Sequence, residues 1–298
     1  MGSFKSELTW SISRDRLFRE CKKAYYFHYY ASWGGWERNA PELSRRAYLL
    51  RNIQNIDAWI GDIVHEVIKW VLTQKQRGAL PPYEQAIAKT KQMFLATWEQ
   101  SRTQAWRNNV KHNCNLFEHY YKREPTHEEL KVKLSKAQRS ITTFYECGFL
   151  ESLEGLSPEA YVAVDELDSF DFEGIRVFAV PDFAVHKDSY ELYDWKTGKP
   201  SDNDVLQLSC YALYAQAKWQ AVLEHIRIIP VYLAQEDFAV SPSSIIAPDE
   251  VKVYMRGSIG QMKSCLFDIS ANKADEQKMF RTTEAWRCKN CKFQEICL

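Results

Sequence analysis

The chain has 298 residues, 45% of them hydrophobic, so it can bury a full core in one large domain or two small ones. Lysine plus arginine and aspartate plus glutamate each number 39, which excludes binding of nucleic acid through a global basic field. No apolar run approaches the ~20 residues of a membrane helix, and the opening MGSFKSELTW lacks the apolar stretch of a secretory signal, so we expect a cytoplasmic protein.

The N-terminal segment is predicted to be a short helix followed by a cluster of aromatic residues. Ser11 is a suitable N-cap for a helix through Leu17 and Phe18, and this helix leads into Cys21. Aromatic faces accept any nucleobase, so the cluster either forms a stacking platform or lies mostly in the core, which is the commoner outcome. Its members are Tyr25, Tyr26, Phe27, Tyr29, Tyr30, Trp33 and Trp36.

A long helix is predicted from about Arg45 to Thr73, where apolar residues recur at helical spacing. His65 lies at the edge of the apolar stripe, and Gly61 lies one turn earlier on the same face. A glycine at that position leaves room for a strand, an ion or a phosphate to approach. A single histidine on such a helix is more often a core residue than a ligand, so the pattern alone does not assign it a role.

Residues 74–155 are predicted to form a helical insertion that covers the cleft of the protein. Helical patterns span Tyr83–Trp106 and Thr126–Leu153, with an irregular stretch at Asn108–Arg123. The segment has no strand pattern of its own, so we do not expect a separate domain. Its basic residues fit either a groove that follows a nucleic-acid backbone or a solvated helix face.

Strand patterns begin at Tyr161–Val164 and continue, after a turn at Gly174, with Ile175–Val180. We predict a meander that leads into a hairpin. The acidic residues between these two strands are Asp165, Glu166 and Asp168.

The hairpin pairs Val180–Val185 with Tyr190–Trp195 across a polar turn. This pairing brings Asp182 toward Asp194, and the alternation of a strand puts Lys196 on the same face as Asp194. Tyr193 and Trp195 then point to the opposite, apolar side, and the polar pair is set apart from the core.

Two carboxylates beside one lysine allow two interpretations. Such a group is costly to bury unless a cation joins it, and oxygen ligands suit a hard divalent ion such as magnesium or manganese. The alternative is an ordinary hairpin with an Asp–Lys salt bridge at the surface.

The chain after the hairpin is predicted to be a helix, an edge strand and a second helix. Ser201 to Asp204 is a start signal for a helix over Val205–Lys218, in which Gln207 and Tyr211 share one face. Pro230 favours an edge position for the following strand, and the last of these helices is predicted at Pro248–Ile269. The predicted strand is Ile226–Leu233. This order predicts an α/β protein with a mixed sheet flanked by helices.

The chain contains eight cysteines, too few for a secreted disulfide framework of this length, and half of them lie near the two ends. Cys288, Cys291 and Cys297 supply three thiolates in a short loop, and Cys21 makes four. Four thiolates suit a [4Fe–4S] cluster or a tetrahedral zinc ion, either of which would tie the two ends of the chain together. The other cysteines, expected to be core or surface thiols, are Cys114, Cys147, Cys210 and Cys265.

Taken in order, these motifs resemble those of the PD-(D/E)XK nuclease superfamily. They are the opening Cys21-x-x-x-Tyr25-Tyr26, Gly61-x-x-x-His65, Asp182, Asp194-x-Lys196, Gln207-x-x-x-Tyr211 and the C-terminal cysteines. More narrowly, they resemble the RecB-type branch with an iron–sulfur cluster, which includes AddB-type nuclease domains and the Fe–S nuclease of CRISPR spacer acquisition. The motifs span Cys21 to Cys297, which favours one restriction-endonuclease-like domain over residues 1–298, with a core at 156–240, flanking segments 1–40 and 272–298, and the insertion 74–155.

The resemblance implies roles for individual residues. His65, Asp182, Asp194 and the main-chain carbonyl of Trp195 would bind magnesium or manganese, and Lys196 would assist the attacking water. The helix with Gln207 and Tyr211 would pack beside this site, where Gln207 helps to hold DNA or the surroundings of the lysine. Glu166, or its neighbour Asp165, would supply a further acid, and the four terminal cysteines would hold a [4Fe–4S] cluster.

The function implied by the resemblance is that of a metal-dependent deoxyribonuclease, with exonuclease activity on single-stranded DNA or DNA ends. Recombination, repair and CRISPR defence are the implied processes, with a helicase or an integrase as the protein partner. A catalytically inert nucleic-acid-binding or assembly subunit is the alternative, and RNA remains open as a substrate.

Overall fold

The computed structural model describes residues 6–164, 168–235 and 243–297. The helices within these ranges are α1 (Ile12–Glu20), α2 (Lys22–Tyr26), α3 (Glu42–Arg51), α4 (Ile56–Gln76), α5 (Tyr83–Arg102), α6 (Phe117–Tyr120), α7 (His127–Glu146), α8 (Asp202–Trp219), α9 (Pro248–Ser264) and α10 (Ala285–Lys289). The strands are β1 (Thr9–Trp10), β2 (Tyr161–Val164), β3 (Phe170–Phe172), β4 (Ile175–Val177), β5 (Phe183–His186), β6 (Tyr190–Lys196), β7 (Ile226–Tyr232), β8 (Leu266–Asp268) and β9 (Lys273–Ala274).

The central sheet is mixed, with strand order β2-β5-β6-β7. The β2–β5 and β5–β6 pairs are antiparallel, and β6 runs parallel to β7. The structure confirms the predicted hairpin, in which Phe183 lies opposite Tyr193 and His186 opposite Tyr190. Among the described residues β7 is an edge strand, as Pro230 predicts, since proline has no N–H to donate to a further strand.

The two faces of this sheet bury two separate cores. One face presents Leu192 and Ile228 to α8 and α9, together with Trp10 of β1. The other face presents Trp195 and Val231 to α4, α5 and α7. The predicted α/β architecture, a mixed sheet flanked by helices, is therefore confirmed.

The predicted meander is wrong in one respect, because Ile175–Val177 does not join the central sheet. The strand β4 forms a small separate sheet of order β1-β4-β3, in which β1 pairs with it in parallel. Glu173 and Gly174 both have positive φ, 54° and 77°, which closes a tight turn and turns β4 back on β3. The N-terminal strand thus occupies the position beside β4 that the meander would have given to the next strand of the hairpin.

Four predicted helices have wrong bounds. The helix expected from Arg45 to Thr73 is split into α3 and α4, because Asn55 accepts a hydrogen bond from Ala58 N at 2.8 Å and starts a new helix. The helix expected to reach Ile269 ends at Ser264, and after Cys265 the chain forms β8, which pairs with β9. The other two are too long, because the helix expected to reach Trp106 ends at Arg102 and the one expected to reach Leu153 ends at Glu146. Within the part of the chain that is described, no helix is both long and apolar enough to span a membrane.

The segment 74–155 consists mainly of α5 and α7, which pack on α4 and on each other. Thr126 and Glu129 form a capping box at the start of α7. Phe94 and Phe144 from these helices lie in the same core as Trp195. The segment therefore shares its core with one face of the central sheet.

A third core joins the two ends of the chain. Phe27, Leu50 and Phe293 are buried in it, at 2% exposure or less. Lys23 N donates to the carbonyl of Phe280 at 3.0 Å, and Tyr121 OH donates to that of Lys292 at 2.8 Å. The C-terminal segment is thus held against α2 and α3 by backbone contacts as well as by packing.

Candidate active site

The hairpin β5–β6 brings Asp182, Asp194 and Lys196 together at the end of the central sheet. Asp182 lies one residue before β5, whereas the sequence placed it within the strand. The preceding Pro181 has no N–H for the ladder, and the Asp182 carboxylate accepts a hydrogen bond from Trp195 N at 2.8 Å. The side chain of Asp182, and not a main-chain carbonyl, therefore accepts this hydrogen bond from β6. The bond holds the Asp182 carboxylate close to that strand.

Asp194 is buried, with 1% of its surface exposed. The expectation that the polar pair lies apart from the core is therefore wrong for Asp194, although it shares a face with Lys196 as predicted. Its Oδ1 accepts hydrogen bonds from Tyr211 OH at 2.6 Å and from Gln207 Nε2 at 3.3 Å. Burial raises the pKa of Asp194, the Asp182 carboxylate raises it further, and Lys196 opposes both effects.

Lys196 connects the hairpin to α8. Its Nζ lies 2.7 Å from Asp194 Oδ2 and donates to Gln207 Oε1 at 3.0 Å. Asp194 Oδ2 is buried, and the Lys196 ammonium forms an ion pair with it. A buried carboxylate needs such a counter-charge, and a bound divalent ion would provide a second one.

His65 lies on α4 and contacts both parts of the hairpin. Its Nε2 donates to the carbonyl of Trp195 at 3.0 Å, and its Nδ1 lies 3.4 Å from Asp182 Oδ1. Burial lowers the pKa of His65, but the Asp182 carboxylate outweighs burial and raises it to about 9. A Cβ at Gly61 would lie 3.4 Å from Thr197 Oγ1, so α4 passes close to the end of β6.

The sequence prediction missed Asp204. Its Oδ1 lies 3.9 Å from Lys196 Nζ, and its Oδ2 accepts from Tyr232 OH at 2.9 Å. A signal for it was present, because Asp204, Gln207 and Tyr211 follow one another at i, i+3 and i+7 on one helix face. This face of α8 therefore contacts Lys196 through Asp204 and Gln207, and it contacts Asp194 through Tyr211.

Glu166 and Asp165 lie outside the described residues. Asp168, the third member of that acidic stretch, accepts from Tyr214 OH and from Lys218 Nζ, at 2.9 Å and 3.1 Å. It is therefore engaged on the outer side of α8.

A cavity of about 690 Å³ opens beside His65. Gly61 and Asp62 of α4 line it together with Gln100, Lys111 and His112 of the segment 74–155. Asp182, Asp194 and Lys196 do not line it, so the helical segment contributes polar and basic side chains beside His65 and not against the hairpin carboxylates.

The four cysteines Cys21, Cys288, Cys291 and Cys297 line a second cavity, of about 990 Å³. Cys21 Sγ accepts hydrogen bonds from Ala24 N and Thr282 N, both at 3.4 Å. Burial and the other three thiols together raise the pKa of the Cys291 thiol to about 11, which means that the other three lie within electrostatic range of Cys291. Within residues 6–164, 168–235 and 243–297, no three His, Cys, Asp or Glu side chains stand in direct coordinating geometry.

The remaining cysteines are placed as expected for thiols without a site. Cys210 and Cys265 are buried in the core beneath α8 and α9, with 0% and 3% exposure. Cys114 and Cys147 are half-buried and pack against the core of α4 and α7.

A sequence model of the PD-(D/E)XK nuclease superfamily matches residues 9–298. No curated protein matches the chain significantly. The match covers nearly all of the chain, including β1, the hairpin with its Asp194-x-Lys196 pair and the C-terminal cysteine loop. The chain therefore belongs to the PD-(D/E)XK nuclease superfamily.

Proposed function

We propose that the chain is a metal-dependent deoxyribonuclease that hydrolyses phosphodiester bonds in single-stranded DNA or at DNA ends. The observation that supports this most directly is that the Asp182 carboxylate, the buried Asp194 carboxylate, His65 and Lys196 converge at the end of one hairpin. Superfamily membership supports nuclease activity in general, and the DNA substrate and exonuclease action are our inference.

The residues present fit a divalent cation of the magnesium or manganese type. Asp182 and Asp194 provide carboxylate oxygens, and the Trp195 carbonyl and a His65 nitrogen add neutral ligands. Such an ion, when bound, polarises the scissile phosphate and acidifies a water molecule. Its charge would also offset the repulsion that now raises the pKa of Asp194.

The protein groups around this site have separate tasks in the proposed mechanism. Lys196 is held by Gln207 and Asp194, so its ammonium has a fixed position from which to orient a water or to stabilise charge on the phosphate. Tyr211 and Gln207 hold one oxygen of Asp194, and Lys196 pairs with the other. His65 keeps α4 against the hairpin through the Trp195 carbonyl.

The cavity beside His65 supports a nucleic-acid strand as the substrate. Lys111 and His112 line it together with His65, and their polar groups suit contacts with phosphate oxygens. Because the segment 74–155 shares this cavity with α4, we favour a single strand or a frayed end over a closed duplex as the substrate.

We further propose that Cys21, Cys288, Cys291 and Cys297 hold a [4Fe–4S] cluster that staples the ends of the chain. The donor set fits, because four free thiols line one cavity, and main-chain amides already point at the sulfurs of Cys21 and Cys291. Closing a site between residues 21 and 297 would stabilise the folded state directly. Zinc is the other metal that this donor set suits, and metal analysis distinguishes the two.

The proposed function is tested by a nuclease assay on single- and double-stranded DNA with magnesium or manganese. Lys196→Ala should lower the rate about 10²-fold, the scale of removing one well-placed electrostatic group. Lys187→Ala is the matched control, because Lys187 lies in the same hairpin and pairs with Glu191 at 2.8 Å, away from the site. Equal rates in wild type and Lys196→Ala, or cleavage without a divalent ion, would reject the assignment.

A further inference from the structure

Two tryptophans of the aromatic cluster near the N-terminus are exposed, whereas their neighbours are in the core. Tyr25 and Phe27 are buried at 1% and 2% exposure, but Trp33 and Trp36 are 40% and 47% exposed. Their ring centroids are 5.4 Å apart and their planes are 80° apart, so they meet edge to face. Trp36 continues the contact to Tyr48 of α3, with centroids 5.7 Å apart.

The loop that carries these tryptophans is held tightly against α3. A Cβ at Gly35 would lie 2.2 Å from the carbonyl oxygen of Ser44 and 2.5 Å from Tyr48 Cβ, so only glycine permits this packing. Gly34 has a φ of +73°, which favours glycine again. The two tryptophans are therefore fixed in position at a solvent-facing site, and little ordering entropy would be lost when a ligand binds.

Two partly buried arginines lie beside aromatic rings of the same cluster. Arg51 lies 5.9 Å from the centre of the Tyr48 ring and donates to Ser32 Oγ at 3.1 Å. Arg14 lies over the ring of Tyr29, 3.9 Å from its centre. Among the described residues neither arginine forms an ion pair, and the loop's own carboxylate, Glu37, contacts the Gly34 region instead.

The buried His28 next to this surface experiences a positive potential. Burial and the nearby cations, Arg51 and Arg14 among them, together lower the pKa of His28 to about 3. Excess positive charge that protein carboxylates do not neutralise is complementary to an anionic ligand.

We propose that Trp33, Trp36 and Tyr48, with Arg51 and Arg14, form a binding surface for a single strand of DNA, separate from the hairpin site. Exposed aromatic faces stack on unpaired bases, and the arginines contact the phosphates between them. The choice of DNA rests on the proposed function, whereas the choice of a single strand rests on the aromatic faces, since paired bases in a duplex are not available for stacking.

An apolar protein partner is a weaker match to the same surface. The planes of the two tryptophan rings are 80° apart, and the charged Arg51 lies beside the Tyr48 ring that Trp36 contacts. An interface between proteins would leave the guanidinium of Arg51 without a counter-charge from this chain, at a substantial desolvation cost. A single strand of DNA offers flat bases to the aromatic rings and phosphates to the arginines, so it matches both kinds of side chain in this surface.

The test is the affinity for a fluorescently labelled 20-nucleotide oligothymidine, measured by anisotropy in EDTA so that no cleavage occurs. We expect the double variant Trp33→Ala/Trp36→Ala to bind about 30-fold more weakly, since a stacked base at the lower end of the usual range contributes about fivefold and two such contributions multiply. Phe267→Ala is the matched control, because Phe267 is 67% exposed on the β8–β9 hairpin, and it should bind like wild type. Arg51→Gln should reduce the slope of log K against log salt by about 0.7.

The inference is overturned if the double variant binds like wild type, or if blunt duplex competes as well as single strand. It is also overturned if the double substitution dissolves a dimer and leaves DNA affinity unchanged. If the double variant melts early, Trp33→Ala alone decides, with a loss of about fivefold expected. Failure of the proposed function would look different, because wild type would then bind the oligonucleotide in EDTA but would not cut it with manganese.

Discussion

The hydroxyl of Tyr211 offers a sharp test of how the site is held together. It donates to Asp194 Oδ1 at 2.6 Å and accepts from Gln207 Nε2 at 2.7 Å. Tyr211→Phe removes this one oxygen and leaves the ring, which is 3% exposed, in place. The substitution therefore changes the hydrogen bonding of a buried carboxylate with little change in packing.

The expected cost follows from the charge on the acceptor. A hydrogen bond to a charged group contributes about 1.5–3 kcal/mol, and Gln207 remains able to donate to Asp194, so we expect a loss at the lower end, about 1.5–2 kcal/mol. For a chain of this size that loss lowers Tm by roughly 3–6 °C. Without the tyrosine the pKa of Asp194 rises further, so more of the carboxyl is protonated and cleavage falls about tenfold.

Thermal unfolding and cleavage are both measured on Tyr211→Phe and on a matched variant, Tyr193→Phe. Tyr193 lies on the same strand but on the opposite face, and its hydroxyl donates to Glu191 at 2.9 Å. That variant should lose stability without a comparable loss of cleavage. The reasoning is refuted if Tyr211→Phe cuts DNA at the wild-type rate, or if both variants lose activity equally.

Two further predictions concern metal binding. Below its pKa of about 9 the His65 imidazole carries a proton that a divalent ion must displace, so the apparent manganese affinity should rise with pH up to about 9 and then level off. A titration that gives the same affinity at pH 6.5 and pH 9 would contradict this. Protein purified without oxygen should be brown, and Cys21→Ser should lower both its iron content and its Tm, while Cys147→Ser keeps the colour. Full iron content in Cys21→Ser would reject the staple, and a colourless protein containing zinc would replace the cluster by that metal.

The sequence predicted the parts of the site that depend on local periodicity. Strand alternation placed Asp194 and Lys196 on one face, and helical spacing placed Gln207 and Tyr211 on another. Antiparallel pairing then brought Asp182 to the same end of the hairpin.

Features that depend on tertiary packing could not be read in the same way. The burial of Asp194 results from α8 packing over the strand, and no property of the hairpin sequence reports it. The pairing of β4 with β1 joins residues more than 160 positions apart, and a local pattern cannot choose between that strand and a neighbour in a meander. The exposure of Trp33 and Trp36 likewise depends on how the glycines between them fit against α3.

Binding of manganese to the metal-free protein, measured by calorimetry on wild type and on Asp182→Asn, tests the central claim most directly. Asparagine keeps the shape of the side chain and its hydrogen-bonding oxygen but removes the charge that would hold the ion. Asp168→Asn is the control, because Asp168 is an acid on the outer side of α8 that pairs with Lys218 at 2.8 Å. We predict that Asp182→Asn binds manganese at least tenfold more weakly and loses cleavage in parallel, while Asp168→Asn matches wild type. Wild-type affinity and cleavage in Asp182→Asn would contradict the assignment of this hairpin as the metal site.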